Sequence, residues 1–248
     1  MARSLSSRSR FALAYLVLGA AVGTTLGIFI VVLQRPEPPP PPPWSSWRPG
    51  AEGVESRVLE IADHVGRSYK LPSGDQMAAV KVGGPGGDSL RAIGIPLKAQ
   101  PQSLSDFQRY DGNETVIYVL CGGGQGCKID QGKPTKARGA VLRREALELA
   151  LYTFQYAKPK ENVLVFFPPG PGEKKLSSTL FFHRADLESR LDDPLRKTLP
   201  RATPPLPGKL VGPELSTVDK LTGPRLYLYR GIVSAEGYGD MVVIQPAA

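Results

Sequence analysis

Two cysteines are the residues whose type and spacing most directly suggest chemistry. Cys121 and Cys127 enclose five residues, namely Gly122, Gly123, Gly124, Gln125 and Gly126. Free thiolates are nucleophiles and metal ligands, whereas an oxidised pair closes a short ring. Glycine allows the chain to bend back between them. We predict a Cys121–Cys127 disulfide, with the five enclosed residues as the candidate binding loop, because loops held on a rigid scaffold carry binding in many proteins.

The two histidines, His64 and His183, are the other candidates for chemistry. A Cys–His nucleophile pair needs a free thiolate, which a disulfide removes. A zinc site would need both cysteines and both histidines, and the cysteine spacing exceeds the usual two to four residues between paired ligands. We therefore predict no catalytic residue, no metal and no cofactor.

The glycine-rich loop also invites comparison with phosphate-binding loops. A Walker A loop needs Gly, four residues, then Gly-Lys-Ser/Thr, but Cys127 stands five positions before Gly132 and Pro134 follows Lys133. In the dinucleotide pattern Gly-x-Gly-x-x-Gly, Gly122 and Gly124 would lead to Cys127. The motifs Gly-x-Ser-x-Gly and His-Glu-x-x-His are missing from the sequence. These mismatches argue against nucleotide binding and make an enzyme the weaker hypothesis.

A long uncharged segment near the start of the chain suggests where these residues are placed. Residues 11–33 contain no charge over 23 positions. As a helix, this run covers roughly 34 Å, and a bilayer core is about 30 Å thick. Arg3, Arg8 and Arg10 precede it, so we predict a cytoplasmic basic tail at residues 1–10 and an uncleaved transmembrane helix at residues 11–33. A cleaved signal peptide is the alternative, although signal h-regions are shorter.

The predicted membrane helix contains a row of small residues, Gly19, Gly23 and Gly27. Such a row lets two helices approach closely in lipid, which predicts a homodimer as one possibility. Residues 34–53 form a proline-rich linker that contains Trp44 and Trp47. These rings either anchor the chain at the membrane interface or pack on the surface of the following domain. We favour packing, and keep both rings as a candidate juxtamembrane anchor.

Net charge gives little indication of a nucleic-acid partner. The formal charge of the chain is +8. Four arginines in residues 1–35 supply half of it, which leaves 27 basic and 23 acidic residues for the remainder. That balance is ordinary for a soluble surface. We predict no nucleic-acid partner, and we place the protein in the plasma membrane of a bacterium, with the C-terminal part outside.

Residues 54–248 are predicted to form one extracytoplasmic α+β domain, with a mixed β-sheet and helices packed on one face. Hydrophobic periodicity places the main helix at residues 138–157, a first helix at 54–65 and a short one at 186–191. Residues 105–110 are predicted as a helical turn and residues 200–213 as extended loop. Strands are predicted at residues 75–82, 90–97, 115–120, 162–167, 178–183, 225–233 and 240–244.

The leading functional hypothesis is a single-pass membrane protein whose outer domain binds or scaffolds an envelope protein or glycan. A membrane-anchored hydrolase or cell-wall enzyme is the first alternative, since two distant acids can catalyse sugar hydrolysis without a local motif. An accessory subunit of a membrane protein complex is the second.

Overall fold

The computed structural model describes residues 7–33, 43–131, 133–170, 176–235 and 239–247. The chain divides into two units, Met1–Pro42 and Pro43–Ala248. Arg3 and residues 34–42 of the predicted linker lie outside the described residues. Arg8 and Arg10 fall within a helix, but their side chains are not described.

The first unit contains helix α1, Ser7–Leu33. Side chains are described at residues 11–12, 15–25 and 29, and those of Phe11, Tyr15, Leu16 and Phe29 are exposed. Over the part of the chain that the structure describes, no helix combines the length and apolarity that a membrane crossing requires. The transmembrane helix is therefore unsupported by these residues and stays a prediction.

The second unit is built on a mixed sheet of eight strands, in the order β1-β4-β5-β6-β7-β8-β2-β3. The β4–β5 and β2–β8 pairs are parallel, and the other neighbours are antiparallel. The predicted α+β class with a mixed sheet is thereby confirmed. The strands are β1 (Ala79–Val82), β2 (Leu90–Pro96), β3 (Phe107–Asp111), β4 (Thr115–Cys121), β5 (Asn162–Phe166), β6 (Ser178–His183), β7 (Leu226–Ala235) and β8 (Gly239–Pro246).

The sheet curls so that its two ends approach each other. β3 is the last strand at one edge, yet only residues 112–114 connect it to β4, which lies next to the other edge. The ring of Tyr110 on β3 also contacts that of Phe181 on β6, with centroids 4.7 Å apart. The curl therefore encloses a second hydrophobic core on the concave side of the sheet.

Strands β4 and β5 are buried on both faces, which explains their nearly continuous apolar sequences. On β4, Val116, Tyr118 and Leu120 belong to the core on the helical side. The alternate residues Ile117 and Val119 belong to the concave core. This period of two follows from the pleat of a strand.

Helices cover the sheet on the side of Tyr118. They are α2 (Val54–Ser68), α3 (Lys136–Tyr156), α4 (Glu188–Leu191), α5 (Leu195–Thr198) and α6 (Gly212–Thr222). Thr135 caps α3 by accepting a hydrogen bond from the Arg138 N–H at 3.1 Å. Buried residues of all five helices join the same core.

Three predicted segments differ from the structure. β1 begins at Ala79 because the preceding residues form a turn in which the Leu71 N–H donates to Asp75 O at 2.8 Å. The predicted turn at residues 105–110 is a short 3-10 turn followed by β3. Helix α6 begins at the end of a segment predicted as extended loop.

The predicted closing hairpin is formed by β7 and β8, and residues 236–238 at its tip lie outside the described residues.

Candidate binding site at the disulfide loop

The candidate loop follows β4 at the carboxyl end of a parallel strand pair. β4 ends at Cys121, and its parallel neighbour β5 ends at Phe166, which is in register with Val119. The loops that follow these two strands meet, because the Ile129 N–H donates to Pro169 O at 3.3 Å. The carboxyl ends of parallel strands are where open α/β sheets bind ligands, so the position is suited to a binding site.

Cys121 and Cys127 form a disulfide, as predicted, and their Cα atoms are 4.1 Å apart. The chain makes a 3-10 turn over Gln125–Cys127 and returns beside its own outgoing segment. The N–H of Gly122 donates to Cys127 O at 3.0 Å, and that of Gly124 donates to Lys128 O at 3.0 Å. The Asp130 N–H donates back to Gly122 O at 3.1 Å. The loop is thus a small hydrogen-bonded hairpin closed by the disulfide.

Glycine is required in this hairpin for two separate reasons. A Cβ atom at Gly122 would lie 2.6 Å from Lys128 O and 2.7 Å from the Ile129 Cα, which is too close for any side chain. Gly123 has a φ of 93°, in the left-handed region that favours glycine. The glycines therefore permit close packing of two backbone segments. Gln125 is exposed at the turn.

A cavity of about 250 Å³ lies beside the hairpin. One wall of the cavity is formed by the turn before β1 and by the first residue of β1. The other wall is formed by the disulfide loop and the residues that follow it. The lining residues are Leu71, Gln76, Met77 and Ala79 on the first side, and Cys121, Gly122, Gly123, Asp130 and Gln131 on the second.

Arg138 connects the two walls of this cavity. Its side chain is 3% exposed, and burial lowers its pKa. Its Nη1 atom donates to Gln131 O, and its Nη2 atom donates to Met77 O at 2.9 Å. One guanidinium at the start of α3 therefore holds the loop and the β1 turn together. Sequence reasoning missed this role, because Met77 in the β1 turn lies 61 positions before Arg138 along the chain.

The chemistry that the loop offers is recognition by main-chain and polar side-chain groups, including the Asp130 carboxylate that lines the cavity. Both sulfur atoms are in the disulfide, so neither thiol is free. His64 stacks on Trp47 with ring centroids 3.8 Å apart, and His183 Nδ1 lies 2.9 Å from Asn162 Oδ1. Neither histidine lines the cavity. Across the described residues, no group of three or more His, Cys, Asp and Glu side chains could hold a metal ion.

The remaining predicted site residues lie elsewhere. Trp44 packs edge-on against Tyr152 at 5.4 Å between ring centroids, and the Leu195 N–H donates to Trp44 O at 2.7 Å. Together with the stacking of Trp47 on His64, this favours the interpretation in which the rings fix the start of the domain. On α1, open space surrounds Gly19 and Gly23 within the described residues.

A buried ion network, which sequence reasoning missed, connects α3, α6 and Tyr69, the residue that follows α2. Arg144 is 1% exposed and donates to Glu148 Oε2 at 2.9 Å and to Glu214 Oε1 at 2.7 Å. The Tyr69 hydroxyl donates to Glu148 Oε2 at 2.6 Å, and burial raises the pKa of Tyr69 well above its ordinary value. The spacing of Arg144 and Glu148 within an apolar helix was the available signal.

Glu145 lies next to this network along α3, but its carboxylate is not hydrogen-bonded within the described residues. The side chain is fully buried. Burial raises its pKa well above the ordinary value, with a further contribution from the charge of Glu148. The network and Glu145 are enclosed by helices and belong to the packing of the fold.

Comparison with known proteins gives no relative: no family model matches the chain, and no curated protein or solved structure is significantly similar to it.

Proposed function

We propose that this is a single-pass membrane protein whose residues 43–248 form an extracytoplasmic domain that binds an envelope protein or glycan. The observation that carries this proposal is the rigid hairpin closed by the Cys121–Cys127 disulfide beside a cavity of about 250 Å³. Rigid concave sites bind with a small loss of conformational entropy. The disulfide itself is consistent with an oxidising compartment outside the cytoplasm.

The proposal of a membrane anchor rests on the sequence of residues 11–33. Residues 11–33 are uncharged, and arginines precede them. Large apolar side chains on this helix are exposed, including Leu16 at 74% and Tyr15 at 73%. The Thr25 hydroxyl donates to Ala21 O at 3.0 Å, so it needs no partner from the surroundings. Apolar surroundings would suit such a helix.

Binding is favoured over catalysis by the groups around the loop. Gln125, Asp130 and Gln131 are exposed, and no nucleophile beside a general base is found among the described residues that line the cavity. Amide and main-chain groups are suited to recognition of a peptide or a sugar, because they both donate and accept hydrogen bonds. The envelope component is therefore expected to be polar and rich in hydrogen-bonding groups.

A co-sedimentation assay tests this function. Full-length protein in lipid nanodiscs is incubated with purified cell-wall sacculi and, separately, with envelope membranes. Wild-type protein is expected to sediment with one of the two, and Gln125→Arg is expected to weaken this binding about tenfold by placing a bulky charge at the exposed turn.

Gln102→Arg is the matched control, because Gln102 is another exposed loop glutamine and does not line this cavity. The control is expected to sediment as wild type. Equal binding by both variants, or no sedimentation of the wild type with either fraction, would contradict a binding role for the disulfide loop.

A further inference from the structure

Strand β1 forms one edge of the sheet and is hydrogen-bonded on one side. Among the strands of the described residues, its partner is β4, with Ala79 opposite Cys121 and Val82 opposite Tyr118. An edge strand exposes main-chain N–H and C=O groups to any chain that can pair with them. The pairing register of β1 with β4 determines which of its N–H and C=O groups remain open to another chain.

The register shows which main-chain groups of β1 point away from β4. The Gly83 N–H donates to Ile117 O at 2.9 Å, so Gly83 and Ile117 are a hydrogen-bonded pair. Hydrogen-bonded and non-hydrogen-bonded pairs alternate along an antiparallel ladder. Lys81 and Ala79 therefore bond to β4, whereas the N–H and C=O groups of Val80 and Val82 point outward.

These outward groups lack hydrogen-bond partners among the described residues, and local structure closes the stretch at both ends. Ala78 O, one step before Val80, accepts a hydrogen bond from Gln76 Nε2 at 2.9 Å. Gly84 O, one step after Val82, accepts one from the Gly87 N–H at 3.1 Å. The open stretch therefore offers the N–H and C=O groups of two residues, Val80 and Val82, to an extended peptide.

Side chains differ on the two faces of this edge. On the helical side, Val82 is 39% exposed and Leu59 of α2 is 57% exposed. Both line a groove of about 470 Å³. On the opposite face, Lys81 is exposed next to Val119, and no ion pair with Lys81 is found among the described residues.

We propose that β1 is the docking edge for an extended peptide segment of a partner protein, which extends the sheet beyond β1. The main-chain groups of Val80 and Val82 demand a partner that offers N–H and C=O at the repeat of a strand, which a peptide does and a glycan does not. Because strand side chains alternate, the peptide places apolar residues over Val82 and Leu59 and acidic residues beside Lys81. This surface is the outward edge of β1 at Val80 and Val82, which does not line the cavity beside the disulfide loop, and it goes beyond the function proposed above.

The test uses an acetylated peptide of alternating Val and Glu residues as its probe, with fluorescence polarisation against full-length protein in nanodiscs. Saturable binding is expected at concentrations below about 1 mM. N-methylation of the main-chain nitrogens on one edge of the peptide is expected to weaken binding at least about tenfold, because it removes the donors to β1. Empty nanodiscs control for peptide partitioning into lipid.

Two protein variants locate the binding. In Val82→Pro the outward N–H is lost while the pairing with β4 remains, since proline is tolerated at such edge positions. This variant is expected to lose at least about tenfold in affinity at an unchanged unfolding temperature. Lys81→Glu is expected to reverse the preference, so that a peptide of alternating Val and Lys binds better. Gln125→Arg is expected to bind the peptide as wild type, which keeps this test independent of the disulfide loop.

Several results would overturn the proposal. They are no saturable binding of the peptide, equal binding of the N-methylated peptide, or an unchanged charge preference in Lys81→Glu. The charge preference of Lys81→Glu still tests the proposal if Val82→Pro fails to fold. The wild-type protein could also prove to be a dimer that Val82→Pro converts to a monomer. That result would identify a second copy of this chain as the occupant of the β1 edge and would contradict docking of a partner peptide.

Discussion

Arg144 and Glu214 form a buried ion pair between α3 and α6, in which Arg144 Nε donates to Glu214 Oε1 at 2.7 Å. Both side chains are almost entirely excluded from solvent, at 1% and 4% exposure. Removal of Glu214 leaves the buried Arg144 Nε without its acceptor and leaves Glu148 as the remaining counter-ion of Arg144, which is more costly than loss of a surface pair. This contact holds α6 to the main helix of the domain.

Glu214→Ala is therefore expected to lower the free energy of unfolding by about 3 kcal/mol, measured by urea denaturation of the full chain with circular dichroism. The matched control is Asp219→Ala, because Asp219 on the same helix pairs with Arg143 at 2.6 Å but is half exposed. The control is expected to cost less than about 1 kcal/mol. Equal effects of the two substitutions would show that burial does not determine the strength of these pairs.

Glu145 should make stability depend on pH. Its pKa is raised by burial from 4.5, the value for an unperturbed side chain, so the folded state binds more protons than the unfolded state above about pH 4.5. The contribution of this group is fully present below that pH and is lost as the pH rises toward the raised value. Glu145→Gln cannot ionise and should lack this decline.

The measurement is the urea midpoint of wild type and Glu145→Gln at pH 5 and pH 8. The variant is expected to gain relative to wild type on going from the lower to the higher pH. A constant difference between the two proteins would mean that Glu145 titrates in the folded state as it does in the unfolded chain.

Substitutions at two glycines should have opposite effects. Gly122→Ala places a methyl group against Lys128 O and the Ile129 backbone, so it is expected to destabilise the loop and the domain. Gly139→Ala lies within α3, with open space around the added Cβ, and is expected to stabilise by about 0.5–1 kcal/mol through helix propensity. Thermal unfolding of both variants checks the pair, and stabilisation by Gly122→Ala would contradict the close approach of the two segments.

Reduction of the Cys121–Cys127 disulfide should have a modest effect on stability. A ring this short contributes about 2 kcal/mol in the chain-entropy model. We expect the unfolding temperature to fall on addition of reductant, and Cys121→Ser/Cys127→Ser to reproduce the lower value with no further response to reductant. An unfolding temperature that is insensitive to reductant would contradict a stabilising disulfide.

Thiol labelling of intact cells tests the proposed location. With a membrane-impermeant maleimide, labelling is expected only after reduction, because an extracytoplasmic disulfide presents thiols only then. Labelling without reduction would show free cysteines and reopen the Cys–His and zinc hypotheses. Labelling only after cell lysis would place the domain inside the cell and contradict the proposed topology.

Local sequence signals predicted the central elements of the domain closely. Apolar runs located β4, β5 and β6 to within a residue, and the apolar stripe located α3 to within two. Helix α6 was missed because its sequence is short and polar, although Pro213 in its first turn was a start signal. The curl of the sheet depends on pairing between strands far apart in the chain, such as β2 with β8, which single-sequence periodicity does not encode.

The same distinction applies to the candidate site. The spacing of Cys121 and Cys127 predicted the disulfide and the loop that it encloses. The cavity beside that loop depends on the β1 turn, whose Met77 lies 61 positions before its hydrogen-bond partner Arg138. The contacts that shape the site are therefore tertiary, while the loop itself is a local feature.

Because Arg138 bonds to both walls of the cavity, the width of the proposed binding site depends on these two hydrogen bonds. A ligand that needs a wider cavity would have to break one of these charged hydrogen bonds, whereas a narrower ligand would leave both in place. Selectivity by size can thus reside in a side chain that does not line the cavity. We expect substitutions of Arg138 to change the width of the cavity while the exposed residues of the loop stay the same.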